Sequence, residues 1–450
     1  LKANRSNPVV LADCACVLPM ARRLAGFPAA SPQSAKLDPI ELARFQKALR
    51  DETGELESLA GAAHVVLHRG SCVFACAGGH ADRERGTPFR LDTLCRLHGA
   101  TKPLLAAAFL TLVDAGKCRL SDPIANYLPL SDVVAVAAGG RSAKAARSPT
   151  LKDLLTMTAG LGYEDSKKYR GMMSRVRRGE IADLCGLCDA IAEQPLLAQP
   201  GSRYEYSFGF DVLGRVCEII SGETLEVFMR EALLRPLGMK DTHIVVPPRK
   251  SQRCAYLYET RATKRTRDGA PKFKLFPYSH RHSAPGIASG GGGILSYNDA
   301  GMWSTVKDYA RFCQMLLDGG VAPTDGRRPG IRLLKASTAR ALWSDALGPL
   351  GRRDGRLPGW HDSDGSAKGG WWDYRGLSLL HSFLDLDSPP KGGETRRSAS
   401  MWFSGGGGAY WTIDKKRRLV TVSFSQTFGG REDDNDGHGP LAYRVGMYVS

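Results

Sequence analysis

Ten consecutive positions, 104–113, carry only Leu, Ala, Phe, Thr and Val, and this run constrains the fold more than any other stretch. A helix that is apolar all round has to be buried, and ten residues are about half of the ~20 that cross a bilayer. The run is therefore read as a helix inside a protein core. Pro103 suits its first turn, and Asp114-Ala-Gly116 supplies its C-terminal stop. The 450 residues, 42% hydrophobic and 24% charged, provide ample material to surround it, and the length admits one large domain or several average ones.

Periodicity on either side of this helix sets the rest of the expected order. Residues 39–56 read as an amphipathic helix. The β-branched run in 62–68, the turn at Arg69-Gly70 and residues 72–76 read as a hairpin. Further helices are expected at 151–157, 210–221 and 224–234, and the alternation in 419–424 predicts a strand. Glycine clusters at 290–293, 369–370 and 405–408 read as turns. Strands at both chain ends with helices between them predict an α/β protein, with a sheet built from both ends and a mainly helical lobe inserted. The expected division is a basic N-terminal extension with the first helix (1–53) and a domain at 54–450. Within that domain the α/β part is 54–95 and 289–450, and the lobe is 96–288.

The net charge of +16 admits an anionic partner, such as RNA or a lipid surface. The arginines and lysines do not interleave with aromatics as in RNA-binding modules. The densest basic stretch, 249–282 with Lys264-Arg265-Thr266-Arg267, reads as a solvated loop. Eleven cysteines lack a disulfide framework; Cys185-Gly-Leu-Cys188 stands alone, and Cys14, Cys16, Cys72 and Cys76 have no matching histidine pair. Free thiols are expected, with no metal and no cofactor. Asp433-Asp-Asn-Asp-Gly437 lacks the downstream glutamate of a calcium loop and reads as a surface turn. The chain starts at Leu1 rather than methionine, which reads as a processed or truncated start. Residues 1–37 carry Lys2, Arg5, Arg22, Arg23 and Lys36 against Asp13 alone. That composition is like an organellar transit sequence, so a mitochondrial location is expected, with a plastid as the alternative.

Lys102 lies one helical turn after Gly99, a spacing that puts both on one face. In an S-x-x-K arrangement the serine is the nucleophile and the lysine assists removal of its proton. Here the serine position is Gly99, which has no side-chain oxygen. Thr101 is two positions on, a rotation of about 200°, and should face away. Cys95 and His98 precede the helix, and Ser207 follows Tyr206, so none is expected to replace the missing hydroxyl.

From Glu55 to Gln426 the chain resembles the β-lactamase-like serine hydrolases, the group of class C β-lactamases, esterases and penicillin-binding proteins. The resemblance rests on segments in matching order: 61–70, Arg90-Leu-Asp-Thr-Leu-Cys-Arg96, 121–129, Leu154-Leu-Thr-Met-Thr-Ala-Gly-Leu-Gly-Tyr163, Pro200-Gly-Ser-Arg-Tyr-Glu-Tyr-Ser207, 289–295 and 308–320. It implies a β-lactamase/transpeptidase-like fold, an antiparallel sheet flanked by helices. It also implies that Lys102 and Tyr206 stand in the proton-transfer positions and that Phe403-Ser404-Gly405 replaces the K-T-G triplet near the oxyanion hole. Met157, Ala159 and Phe208 depart from the histidine, serine and asparagine usual there. Gly99, Lys102, Tyr206, Phe403, Ser404 and Gly405 are thus expected to form a vestigial site with no active catalytic residue. The implied function is an inactive relative acting as a structural or accessory subunit among other protein subunits of an organellar assembly. The alternative is a live esterase, peptidase or β-lactamase with a displaced nucleophile.

Overall fold

The computed structural model describes residues 24, 26–54, 56–129, 134–136, 142–164, 166–167, 169–265, 271–278, 301–323, 330–348, 350, 375–385 and 398–428. Residues 1–23, the glycine clusters at 290–293 and 369–370, the matching segment 289–295 and the turn at 433–437 lie outside them.

Helix α1 (Pro39–Thr53) starts where the Asp38 carboxylate accepts the Ile40 N–H and Pro39 fills the first position. Its buried Leu42, Phe45 and Leu49 recur at helical spacing and face strands β1 (Gly61–His68) and β2 (Ser71–Asp82). Along β1, Ala62, His64 and Val66 point to α1, while Ala63, Val65 and Leu67 enter the main core. A strand alternates faces with a period of two, so an unbroken apolar run means that both faces are covered. Strand β3 (Thr87–Pro88) forms one sheet edge, and β4 (Cys95–Arg96) leads to α2 (Thr101–Asp114), the apolar run of the sequence.

Around α2 sits the inserted lobe: α3 (Leu151–Leu155), α4 (Leu184–Ala192), α5 (Gly209–Ser221) and α6 (Leu225–Met229), continued by a π-helical turn at Arg230–Leu234. Every residue from Thr101 to Leu110 is buried, which answers the demand of its composition. The lobe also holds strands β5 (Tyr258–Arg265) and β6 (Pro271–Pro277). After β7 (Trp303–Ser304) and α7 (Val306–Leu317), the chain returns as β8 (Arg375–Leu377), β9 (Phe383–Asp385), β10 (Ser400–Gly405), β11 (Ala409–Asp414), β12 (Leu419–Ser425) and β13 (Thr427–Phe428).

The main sheet is antiparallel in its described pairings, in the order β8-β9-β10-β11-β12-β1-β2-β3. The seam between the two chain ends is β1 against β12, with Val65 opposite Val422. Helix α7 covers the face opposite α1, packing on β1, β11 and β12. The α/β sheet with an inserted helical lobe is therefore the architecture of the chain.

Two details differ from the sequence expectations. Part of the basic stretch 249–282 is the hairpin β5–β6, with β5 pairing parallel to β13; Phe273 and Leu275 alternate inward and make it a strand rather than a loop. The helix begun at Leu151 stops at Leu155, and Met157 takes a left-handed conformation at φ +54°. Of the basic segment, Leu24 and Phe27 already enter the main core, and the Cys72 N–H donates to the Pro28 carbonyl at 2.7 Å. The nine described cysteines are free, all but Cys185 buried. No helix among the described residues is long and apolar enough to cross a membrane.

Phe45 joins α1 to the sheet edge-on to His64 at 4.7 Å and to Phe74 at 6.0 Å. Phe45→Ala should lower unfolding free energy by about 3–5 kcal/mol in denaturant titration, whereas a loss under about 1 kcal/mol contradicts this packing.

Candidate functional site

The turn before α2 is held from several directions at once. The Leu97 N–H donates to the Met302 carbonyl (2.7 Å), and the Tyr309 hydroxyl donates to the Ala100 carbonyl (2.8 Å). The Gln426 side chain accepts from the Arg96 N–H and donates back to its carbonyl. Within the turn, His98 sits at φ +46°, a conformation that a β-carbon makes costly. Its ring packs edge-on against Phe428 at 5.2 Å.

Gly99 and Gly405 face this turn with opposite constraints. A β-carbon on Gly405 would lie 2.0 Å from the Leu97 carbonyl oxygen, so strand β10 approaches the turn closely only because residue 405 lacks one. A β-carbon on Gly99 would meet the Ser404 carbonyl at 3.2 Å, Phe403 Cε1 at 3.7 Å and the Tyr206 hydroxyl at 3.7 Å. That fits once the carbonyl gives by a few tenths of an ångström. Packing requires glycine at 405 and does not require it at 99.

The six residues singled out in the sequence come together here. Lys102 Nζ donates to the Tyr206 hydroxyl at 2.6 Å and lies 4.7 Å over the centre of that ring. Phe210 offers a second aromatic face at 6.0 Å. Lys102 is only 6% exposed, and among the described residues it forms no ion pair with a carboxylate. A hydrogen bond to a charged group contributes about 1.5–3 kcal/mol and a desolvated cation–π contact about 2 kcal/mol, against several kcal/mol to bury the ammonium. The contacts offset much of that cost, and among the described residues the charge has no carboxylate counter-ion.

Tyr206 is presented by a segment laced to the Met157 loop. The Glu205 N–H donates to the Met157 carbonyl at 2.8 Å, and the Phe208 N–H to the Gly162 carbonyl at 3.1 Å. Tyr163 stands perpendicular to the Tyr206 ring at 5.2 Å. Phe208 is fully buried against Tyr163 and Tyr169, so residue 208 serves packing. Phe403 presents an apolar ring beside the turn, 5.4 Å from His381 and 5.6 Å from Phe383.

The possible substitute nucleophiles are occupied. Thr101 Oγ1 accepts the Met302 N–H at 2.9 Å on the far side of the helix, as its rotation requires. The Ser207 hydroxyl donates to Met157 Sδ at 3.2 Å and is buried. Burial pushes the Cys95 thiol well above its ordinary range, which keeps it protonated.

His381 carries no motif, and sequence reasoning missed it. It occupies the turn between β8 and β9 at φ +53°. Its ring stacks on Tyr204 at 6.0 Å and contacts Tyr206 and Phe210 as well as Phe403. Burial, reinforced by the nearby Lys102 charge, lowers its pKa from 6.5 to about 3. His64, buried at the α1–β1 contact, is lowered to about 3 by burial alone. Only the chain's return path brings His381 to the site, so no local spacing could have announced it.

Two predictions follow from these environments. Gly99→Ala should change stability by under about 1 kcal/mol, while Gly405→Ala should cost about 3 kcal/mol or prevent folding, both read from urea midpoints; the reverse order contradicts the geometry. Both buried histidines stay neutral in the native state, whereas the unfolded chain takes up protons below pH ~6.5. Stability is therefore full above pH ~6.5 and falls as pH drops toward 3, by about 2 kcal/mol per histidine at pH 5. The urea midpoint should fall between pH 7 and pH 5, and His381→Asn should flatten that slope; an unchanged slope contradicts the assignment.

Comparison with known proteins agrees with this architecture. The Beta-lactamase family model matches residues 48–442. A Mycobacterium tuberculosis protein described only as uncharacterized is 32% identical over 382 residues, spanning 82% of this chain and 86% of that protein. Esterase EstB of Burkholderia gladioli is 28% identical over 417 residues, spanning 88% and 93%. Among solved structures, unliganded simvastatin synthase of Aspergillus terreus has the same fold, with a TM-score of 0.65 at 21% identity, covering 91% of this chain and 96% of that one. With its sheet-and-lobe fold and a lysine–tyrosine pair beside the turn that meets strand β10, the chain belongs to the beta-lactamase family of serine-hydrolase-type proteins.

Proposed function

We propose that this chain does not perform acyl-enzyme chemistry and works as a structural or accessory subunit built on a hydrolase scaffold. The observation that carries this is the pairing of a preserved Lys102–Tyr206 hydrogen bond with an oxygen-free Gly99. Losing the nucleophile of such a unit costs about 10⁶ in turnover, because its members act together. Engagement of Thr101 by Met302 and of Ser207 by Met157 supports the same reading, as does the apolar Phe403. The basic N-terminal composition and the net charge of +16 support placement in an organelle, the mitochondrion first and a plastid second, among protein partners or against an anionic surface. The names of esterase EstB and simvastatin synthase make hydrolysis and acyl transfer the activities to test for.

The test is turnover of p-nitrophenyl butyrate by the native chain and by Gly99→Ser. The native chain should show no rate above the buffer reaction. The serine variant, whose new side chain starts 3.7 Å from the Tyr206 hydroxyl, should gain at least ~10² of the ~10⁶ attributed to a nucleophile. Saturable turnover by the native chain contradicts the proposal, and an inert serine variant shows that Phe403 and its neighbours have also dismantled the site.

A further inference from the structure

A cavity of about 480 Å³ opens between α6, with its π-helical turn, and the segment that follows the lobe's helices. Its volume lies in the range that holds small ligands, and π-helical turns are frequent at functional sites. Residues 238–244 form a second wall, and Arg249 and Lys250, on the turn Pro248–Arg253, form a third. The inner lining is buried and apolar: Met229, Leu234, Met239, Ile244 and Met302. Three of these are methionines, whose flexible thioethers adapt to irregular apolar groups. Lys102, Tyr206 and Phe403 are not among the walls. Met302 backs the Thr101 face of α2, whereas Lys102 turns toward Tyr206. The cavity is therefore separate from the lysine–tyrosine pair.

The rim is basic, and its ion pairs identify which cations are already balanced. Glu231 pairs with Arg230 at 3.1 Å and with Arg235 at 2.9 Å, one carboxylate for two guanidiniums. Lys250 Nζ lies 2.8 Å from Asp241 Oδ1 and 3.1 Å from His243 Nε2. Burial, with the Lys250 charge adding to it, lowers the His243 pKa from 6.5 to about 4, so that imidazole stays neutral. Lys240 and Arg249 are exposed and form no ion pair among the described residues. Glu226, on the α6 wall, likewise has no ion pair among them and pushes a negative group toward the Lys240–Arg249 side.

Two unbalanced cations match a dianion better than a single charge. A phosphomonoester carries about −1.5 to −2 at pH 7 and three acceptor oxygens, and a guanidinium meets such a group through paired donors. The methionine-rich lining calls for an apolar tail, which free phosphate lacks. We propose that this cavity binds a single-tailed phosphomonoester, with its phosphate at Lys240 and Arg249 and its tail against Met229, Met239 and Met302. Binding is reversible and makes or breaks no covalent bond. It does not depend on whether residue 99 supports acyl chemistry.

The experiment is calorimetry and thermal unfolding of the full chain with octyl phosphate below its micelle concentration, with 1-octanol as the uncharged tail and inorganic phosphate as the tailless anion. Octyl phosphate should saturate one site per chain with a dissociation constant of about 1 mM or tighter and raise the melting temperature in step with the logarithm of its concentration. Octanol and inorganic phosphate should each bind at least about tenfold more weakly. Lys240→Glu combined with Arg249→Glu changes two exposed side chains, so the fold should survive, and octyl phosphate should bind that variant at least about tenfold more weakly. Lys416→Glu combined with Arg417→Glu makes the same change of net charge at the exposed turn between β11 and β12 and should leave binding as it is. No saturation by octyl phosphate, equal binding of octanol or of inorganic phosphate, or an equal loss in the two charge-reversed variants would each overturn the proposal.

Discussion

The close approach of strand β10 to the turn before α2 is the constraint on which the site depends. Gly405 lets the strand backbone come against the Leu97 carbonyl at a distance no β-carbon permits. That contact sets Phe403 and Ser404 beside Gly99, while Met302, Tyr309 and Gln426 fix the turn from the other sides. The buried helix α2 then carries Lys102 one turn inward to meet Tyr206 from the lobe. Sheet, turn and lobe thus converge on one small space, and the convergence is set by backbone contacts that do not involve the side chain of residue 99.

The contacts that hold the framework are thus separate from the side chains that face residue 99. The substitutions at the site differ in physical kind. Phe208 is absorbed into an aromatic cluster with Tyr163 and Tyr169, and Met157 engages the Ser207 hydroxyl through its sulfur. Those replacements convert polar positions into packing. Gly99 is different, because it has no side chain to pack and its β-carbon position is bordered by the Ser404 carbonyl, Phe403 and the Tyr206 hydroxyl at 3.2–3.7 Å. Lys102 gains from the phenol and the aromatic faces much of what its burial costs.

Most of the fold was legible because its signals are local. The apolar run of α2, the two-faced alternation of β1 and the spacing of Leu42, Phe45 and Leu49 each name their element and the side it buries. The hairpin β5–β6 was misread because lysines and arginines dominate its composition, although Phe273 and Leu275 keep the period-two pattern that buries one face. Within the site, Gly99 and Lys102 follow from helical spacing, whereas Tyr206 and residues 403–405 were found only through the family resemblance. His381 was illegible because its place depends on how β8 and β9 return to the sheet, and nothing in its neighbours encodes that path.

The central claim is that the pocket holding the Lys102–Tyr206 pair offers no attacking oxygen at residue 99. Intact-mass spectrometry of the native chain after exposure to a reactive fluorophosphonate tests it most directly, since the probe reports a covalent bond rather than a rate. The account predicts an unmodified native mass alongside a stoichiometric adduct on the Gly99→Ser chain. An adduct on the native chain that maps to a side chain lining this pocket would contradict it.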